Sequence, residues 1–423
     1  MARDFDRAMA GAELNRSGGA GTTEPTRPVV LYLTRNLRTG GAERVFVSFV
    51  NNARAVQPVV ALLERAGALL TELRTDVACV AHDDQHRLRA GRQPAVSGLS
   101  GESVAQLGRE CLWLDRIAQD TAAALVSSFL MRAHIVALLT KLLLRPRLRV
   151  VLNIHEHLSE SEPFFYATRR DKAVARWVIR HLFPRADRIV VVADALKRDL
   201  VAAHGVPADL IDVVHNPLDI ERIRTMATEP LDPAPTPGPP PGRRRIVAVG
   251  RLVHLKGYDL LLQSIERLRA THDVHLTLVG DGSERGRLEA LAARLDLLDA
   301  VTFAGHQDNP WRFMAQADVL ALTSRTEAFP CVLAEAMAIG VPVLATDCTG
   351  GVRELLQAGA CGLIVPSENV DAIAGGLERL LSDAALRASL TATARERVDA
   401  FAVPRVQGRY ESLLTGLMAA RAT

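Results

Sequence analysis

Two carboxylates eight positions apart, Glu327 and Glu335, lie in SRTEAFPCVLAEAMAIGVPVLAT (Ser324–Thr346), a stretch that otherwise reads as core. Burying an unpaired carboxylate is expensive, so Glu335 has to meet a polar group, either from the protein or from a ligand. Pro330 suits the first turn of a helix, where its missing N–H costs nothing. Glu327 then falls in the loop ahead of that helix, and Glu335 about one and a half turns into it. The backbone N–H groups of Phe329, Cys331 and Val332 face outward from such a helix start and form a cradle for an anion. Flanked by Leu333, Ala334, Ala336 and Met337, Glu335 is placed to accept hydrogen bonds from two neighbouring ribose hydroxyls. A salt bridge to an internal arginine is the alternative.

Cations come from a second stretch. VGRLVHLKGYDLLLQSI puts Arg251 and Lys256 in a loop between a strand and a helix, bracketed by Gly250 and Gly257. Arginine as a bidentate fork and lysine as a point charge can hold a diphosphate between them. Solvated helix-flanking charges are the plainer reading, and the glycines, which admit close backbone approach, favour a ligand. In GGAERVFVSF, Gly40 and Gly41 precede a helix and let the backbone approach a phosphate or sugar. NIHEH ends a strand with His155 and His157, and with no third ligand in view they are not expected to share a metal. One of them can donate to a sugar hydroxyl or serve the structure alone. DCTGGVREL brings Gly350 and Gly351 to a further helix start.

VGDGSERGRLE, with Gly280, Gly282 and Gly286, is similar to a dinucleotide fingerprint. Its spacing is loose, it follows the second strand of its domain, and no convincing ribose reader lies downstream. An NADP-dependent oxidoreductase is therefore a distant alternative. No DxD pair offers to hold a divalent ion, because Asp83–Asp84 sits in an Arg/His-rich loop; neither a metal nor another cofactor is expected.

Positioning these residues takes a scaffold. Short apolar runs at VVLYLT (Val29–Thr34), VVALL, AALVSSF, LRVVLNIH and RIVVVA alternate with helical stretches. After the proline-rich EPLDPAPTPGPPPG the alternation restarts with RIVAVG, HLTLVG, AVTFAG, DVLALT, PVLAT and GLIVP. Almost wholly apolar strands alternating with helices predict parallel sheets covered on both faces. The expected architecture is α/β, with two similar Rossmann-like domains facing a cleft. The boundaries read as a disordered lead-in over 1–27, a first domain over 28–228 and a stiff linker over 229–243. A second domain over 244–398 and a last helix over 399–423 complete the chain.

Composition is that of an ordinary globular protein, with 423 residues, 48% hydrophobic, 23% charged and a net charge of +3. The charge is unevenly shared, since residues 132–188 hold 12 basic and 5 acidic residues. Five scattered cysteines without a CxxC pair suit a reducing compartment. The first residues lack the apolar core of a signal peptide, and no apolar run approaches the ~20 residues of a membrane span. The expected location is the cytoplasm, peripheral at the inner face of the plasma membrane. EPFFYATRRDKAVARWVIRHLFPRAD (Glu162–Asp187) interleaves aromatic with basic residues, which suits an anionic membrane surface. A core-packed helix with solvated charges is the rival reading, and nucleic acid is not expected because no recognition motif accompanies the basicity.

Together these motifs resemble the retaining glycosyltransferases of family 4, with the two-Rossmann GT-B fold. The resemblance runs from Val29 to the C-terminus and is most specific over Arg245–Pro366. There GRLVHLKG, LVGDGSERGRLE, FAGH, ADVLALTSRTEAFPCVLAEAMAIGVPVLATD and GLIVP follow in the family's order. It implies Glu327 beside the donor sugar, Glu335 on the ribose, and Arg251 and Lys256 on the diphosphate with the backbone of Phe329, Pro330, Cys331 and Val332. It also implies sugar contact by His155, glycine-loop contact by Gly40 and Gly41, and donor contact by Gly305 and His306 of FAGH. GDGSERG becomes a structural turn, and the resemblance further implies that the domain over 28–228 binds the acceptor, that the domain over 244–398 binds the nucleotide sugar, and that the last helix crosses back to the first domain. Ala328 stands where the family often has Gly, and Cys331 where it often has Asn. DCTGGVREL is similar to the DCPSGPREIL loop of bacterial galactosyl- and N-acetylhexosaminyltransferases, which leans the donor toward a UDP-hexose. The partners so implied are a nucleotide sugar and a glycan or polyprenyl-linked acceptor. A GDP-mannose-dependent enzyme of the same fold, and a nucleotide-sugar-binding protein without catalysis, are the alternatives.

Overall fold

The computed structural model describes residues 27–38, 40–83, 101–159, 168–231 and 242–420. The expected lead-in, most of the proline-rich linker, Asp84 and the stretch Glu162–Tyr166 lie outside these residues. The first sheet is built from β1 (Val29–Thr34), β2 (Gln57–Leu62), β3 (Ala78–Ala81), β4 (Leu125–Phe129), β5 (Arg149–Ile154), β6 (Arg188–Val191) and β7 (Ile211–Val213). Its order is β3-β2-β1-β4-β5-β6-β7. The second sheet takes β8 (Arg244–Val249), β9 (Val274–Val279), β10 (Val301–Gly305), β11 (Val319–Leu322), β13 (Val343–Asp347) and β15 (Leu363–Pro366), ordered β10-β9-β8-β11-β13-β15 and parallel throughout. A short parallel pair, β12 (Thr326–Glu327) and β14 (Thr349–Gly350), stands apart. The expected α/β class with two parallel sheets is what the chain forms.

Why both faces are covered is visible in β1. Val30, Leu31, Tyr32 and Leu33 are consecutive and all fully buried, although successive side chains point to opposite faces. In each sheet the chain winds outward for three strands, then returns to the flank of its first strand. The reversals lie between β1 and β4 and between β8 and β11, the places where open α/β sheets hold ligands beyond their strand carboxyl ends.

Contacts gather the chain into two compact units. One holds the described residues up to Asn153, Arg185–Arg188 and the chain from Tyr410 on. Here the helix Gly41–Asn51 buries Val45, Phe46, Phe49 and Val50, and Phe46 meets Phe129 edge-on at 5.0 Å. The end of the last helix, Val403–Ala419, belongs to the same core from Tyr410 onward, and the Tyr410 ring stacks on Phe49 at 4.1 Å. The Tyr410 hydroxyl lies 2.5 Å from Ser127 Oγ, which also accepts from Asn153 Nδ2 at 2.8 Å. Buried Glu411 accepts the Arg54 and Ala55 N–H groups at 2.7 and 3.0 Å, so its charge is met by fixed donors.

The other unit comprises Ile154–Pro184 and Ile189–Arg409. Its core joins Ile246, Ala248, Leu276, Leu278 and Val319 of the sheet to Leu261, Ile265 and Leu268 of the helix Tyr258–Leu268 and to Ile373 and Leu377 of the helix Val370–Ser382. Among the described residues no helix is long and apolar enough to cross a membrane.

Candidate active site

Beyond the carboxyl end of β8 the chain runs Gly250–Arg251 into a tight turn, His254–Lys256, before the helix Tyr258–Leu268. Three sets of contacts hold that turn. Gly280 has φ 141°, and a Cβ there would lie 1.9 Å from the Gly250 carbonyl oxygen; one on Gly282 would lie 2.4 Å from that of Leu252. The Leu252 N–H donates to Asp281 O at 2.9 Å, and the Glu284 N–H donates to Leu252 O at 2.9 Å. Gly280 and Gly282 of GDGSERG thus serve close packing of one backbone on another, and their turn is filled by protein. Next, Gly257 at φ 62° leaves no room for a Cβ, which would meet Thr323 O at 2.1 Å, while Thr323 Oγ1 donates to Lys256 O and Gly257 O at 3.2 and 3.0 Å. Finally, the Arg325 guanidinium donates to His254 O at 2.7 Å and forks onto Asp259 at 2.9 and 3.1 Å. Burial pushes the Asp259 carboxyl up, but the Arg325 hydrogen bond and charge outweigh it and hold the pKa below the usual carboxylate value.

Glu327 is placed by the short β12–β14 pair, in which it lies opposite Gly350. Gly350 adopts φ 121°, and a Cβ on it would fall 1.5 Å from Glu327 O. Gly351 donates its N–H to the same oxygen at 3.1 Å. The paired glycines of DCTGGVREL are therefore what lets that loop lie flat against the Glu327 backbone. The Glu327 side chain is 10% exposed, and its Oε1 accepts from Lys256 Nζ at 2.6 Å and from Ser324 Oγ at 2.6 Å. Buried Tyr258 lies close, its pKa pushed up by burial and then by the Glu327 charge.

Glu335 falls in the helix Cys331–Ile339, and Trp311 Nε1 donates to its Oε2 at 3.1 Å. The indole is one protein group that meets this half-buried carboxylate. Pro330, at φ −78° and ψ 83°, makes an inverse γ-turn in which the Cys331 N–H donates back to Phe329 O at 2.9 Å. Of the three amides expected to face outward, that of Cys331 is thereby engaged. Its sulfur accepts from Asn216 Nδ2 at 3.3 Å, and burial pushes the thiol up to about 12, so it stays protonated. The Phe329 ring is core, packed against His215 at 5.5 Å and Phe401 at 5.2 Å, and His215 Nε2 lies 2.6 Å from Glu354 Oε1.

Arg251 is exposed and has no ion pair among the described residues, on the same loop as Lys256. Gly305 has φ 68°, and its carbonyl accepts the Gly280 N–H at 2.8 Å; His306 is exposed and lies 3.6 Å from Asp308. Gly41 has nothing within 4 Å of a notional Cβ, whereas one on Gly40 would run into the Glu43 carboxylate. His155 is lowered by burial to about 4, against the partly offsetting hydrogen bond of Asn216, so its imidazole is neutral near pH 7. Beside it burial raises Glu156 to about 7. Ser324, Trp311, Asn216 and Glu156 drew no notice in the sequence. Only Asn216, in VVHNPLD, and Glu156, in NIHEH, stand in runs with a readable strand-end signal.

Family models match most of the chain. Residues 39–222 match the family model of Glycosyltransferase Family 4, and residues 235–397 that of Glycosyl transferases group 1. The chain belongs to the family 4 glycosyltransferases. Among its relatives is the Campylobacter jejuni N-acetylgalactosamine-N,N'-diacetylbacillosaminyl-diphospho-undecaprenol 4-alpha-N-acetylgalactosaminyltransferase, 29% identical over 64% of this chain and 71% of that one. The Salmonella typhimurium lipopolysaccharide 1,6-galactosyltransferase is 30% identical over 47% of this chain and 53% of its own length, so the match spans about half of that relative. In fold the glycosyltransferase is similar to Anabaena HepE, solved in complex with UDP and glucose, with a TM-score of 0.73 and 21% identity over 92% of this chain and 100% of that one.

Proposed function

We propose that this glycosyltransferase moves a hexose or N-acetylhexosamine from a nucleotide-diphosphate sugar, with UDP as the nucleotide, to a glycan or lipid-linked acceptor. The setting is the assembly of cell-surface polysaccharide or glycolipid. The observation that carries the reading is Lys256 held 2.6 Å from Glu327, beside exposed Arg251, at the strand-order reversal of the second sheet. As the bond from the anomeric carbon to the phosphate oxygen stretches, negative charge grows on the diphosphate. Arg251 and Lys256 oppose it from a loop that Gly280, Gly282, Gly257 and Arg325 have already fixed, so little reorganisation is needed during reaction. No divalent ion is required in this scheme. Glu327, engaged by Lys256 and Ser324, is an electrostatic partner of the donor sugar rather than a free nucleophile. The acceptor oxygen then bonds the anomeric carbon from the face the diphosphate leaves, its proton passing to the departing phosphate oxygen, with net retention. Glu335 holds the ribose hydroxyls, and neutral His155 donates to a sugar hydroxyl.

Support for the donor and acceptor classes comes from relatives named for undecaprenol-linked and lipopolysaccharide acceptors, and from a fold neighbour solved with UDP. The test is transfer from UDP-glucose, UDP-galactose, UDP-N-acetylhexosamines and GDP-mannose to lipid-linked glycan extracts, with and without EDTA, and NMR of the product's anomeric centre. Metal-independent transfer from a UDP-sugar with retention is expected. Transfer from GDP-mannose alone, inversion, or abolition by EDTA would overturn the corresponding part.

A further inference from the structure

We infer that the end of the helix Met131–Leu143 and the turn after it, Leu142–Arg149, form a foot that docks on an anionic lipid surface. Large hydrophobic side chains that are exposed are few among the described residues, yet Leu142, Leu143 and Leu144 are consecutive and 42%, 72% and 41% exposed. Successive helical positions point about 100° apart, so these leucines surround the helix end instead of lining one face. A protein groove reads a helix by a single stripe of positions, whereas a fluid acyl boundary accepts apolar groups from every side.

The charge around the tip favours anionic lipid. Asp187 lies 2.5 Å from Lys141 and 2.7 Å from Arg149, which gathers Arg185 and Arg188 of its own short segment to the same place. Arg145 binds Asp115 at 2.8 Å, and Arg147 is exposed. Six cations thus face two carboxylates, each already engaged, in a chain whose net charge is only +3. Leucines that enter the bilayer with arginines left at the headgroups is the arrangement anionic membranes hold best.

The leucines of this tip lie outside the aromatic stretch Glu162–Asp187, which lends it only Arg185 and Asp187. There Phe183 is buried, Trp177 is 59% exposed, and Phe164, Phe165 and Tyr166 lie outside the described residues. The tip leads into the amino-terminal end of β5, whereas the Gly40–Gly41 loop follows the carboxyl end of β1 in the same sheet. The five steps of a six-residue strand separate those edges by about 17 Å. Resting on the proposed lipid-linked acceptor, the foot therefore suits one that already carries sugars, whose end stands off the bilayer.

Co-sedimentation of the purified protein with vesicles tests this, using phosphatidylcholine alone and mixed with phosphatidylglycerol, at low and raised salt. Binding to the anionic vesicles only, weakened by salt, is expected. Leu143→Glu with Leu144→Glu should weaken it by at least roughly tenfold, the loss that one buried leucine implies. Arg147→Glu should weaken it without the double change. Circular dichroism and UDP titration on the same variants show that the fold and donor site are intact, so this inference can fail while the proposed transfer stands. Equal binding to neutral vesicles, no binding at all, or indifference to these substitutions would overturn it. So would loss of self-association in the leucine variant with vesicle binding unchanged.

Discussion

Lys256 and Glu327 share a 2.6 Å contact, and Ser324 completes the carboxylate's partners. Lys256→Ala should lower transfer by roughly 10²–10³-fold, the cost of losing one fixed donor to developing charge. Lys256 is only 22% exposed and pairs with a 10% exposed carboxylate, so the thermal midpoint should fall as well; transfer by the folded variant at the native rate would make Lys256 structural. Trp311→Phe keeps the ring but removes the N–H that orients Glu335, and about fivefold weaker UDP binding is expected from one lost hydrogen bond. Unchanged affinity would reduce Trp311 to packing. His155 and Glu156 predict opposing pH effects. A histidine lowered from 6.5 to about 4 leaves the unfolded chain binding more protons in that window, so stability rises with pH across it. A glutamate raised from 4.5 to about 7 binds more protons when folded, so stability falls as pH rises across that window. The two offset each other where they overlap. Glu156→Gln should unmask a rise in thermal midpoint from pH 4.5 to 6.5; an unchanged profile would contradict both burials. Glu327, Glu335, Arg251 and Lys256 were legible because charge among apolar neighbours is conspicuous. Trp311 and Asn216 were not, since their importance rests on partners 24 and 115 residues away.

At the scale of elements, glycines decide where loops can touch. Gly350→Ala should displace β12, because the added Cβ would fall 1.5 Å from Glu327 O at a φ of 121°. A loss of roughly 1–3 kcal/mol in stability is expected, with transfer falling further than stability explains. Gly286→Ala, in the first turn of the helix Arg285–Arg294, meets open space and should be nearly neutral. Denaturant midpoints on the two variants separate these cases, and equal effects would contradict the packing account. Eleven strands were readable as apolar runs. β3 and β7 were not, because ACVA and IDV are short edge strands only partly buried, nor were β12 and β14, because two residues carry no period. Their pairing is dictated by Gly350, which a sequence reader sees only as a flexible turn.

For the whole molecule, what matters is how the chain end completes the first unit. Tyr410 and Glu411 insert a buried hydroxyl and a carboxylate among Ser127, Asn153 and the Arg54 and Ala55 amides. Glu411→Leu should destabilise by about 1–3 kcal/mol, since it leaves two backbone donors unmet. A denaturant midpoint at or above that of the wild type would contradict the role assigned to this end. The returning helix was expected from the resemblance to the GT-B fold, but its anchoring through a tyrosine and a glutamate was not, because burial of polar groups depends on partners hundreds of residues distant. The most direct test of the central claim is calorimetric titration with UDP, GDP and NADP⁺, on the native chain and on Glu335→Gln. Binding of UDP that weakens in the variant is the predicted result; binding of NADP⁺ alone, indifferent to Glu335, would contradict it.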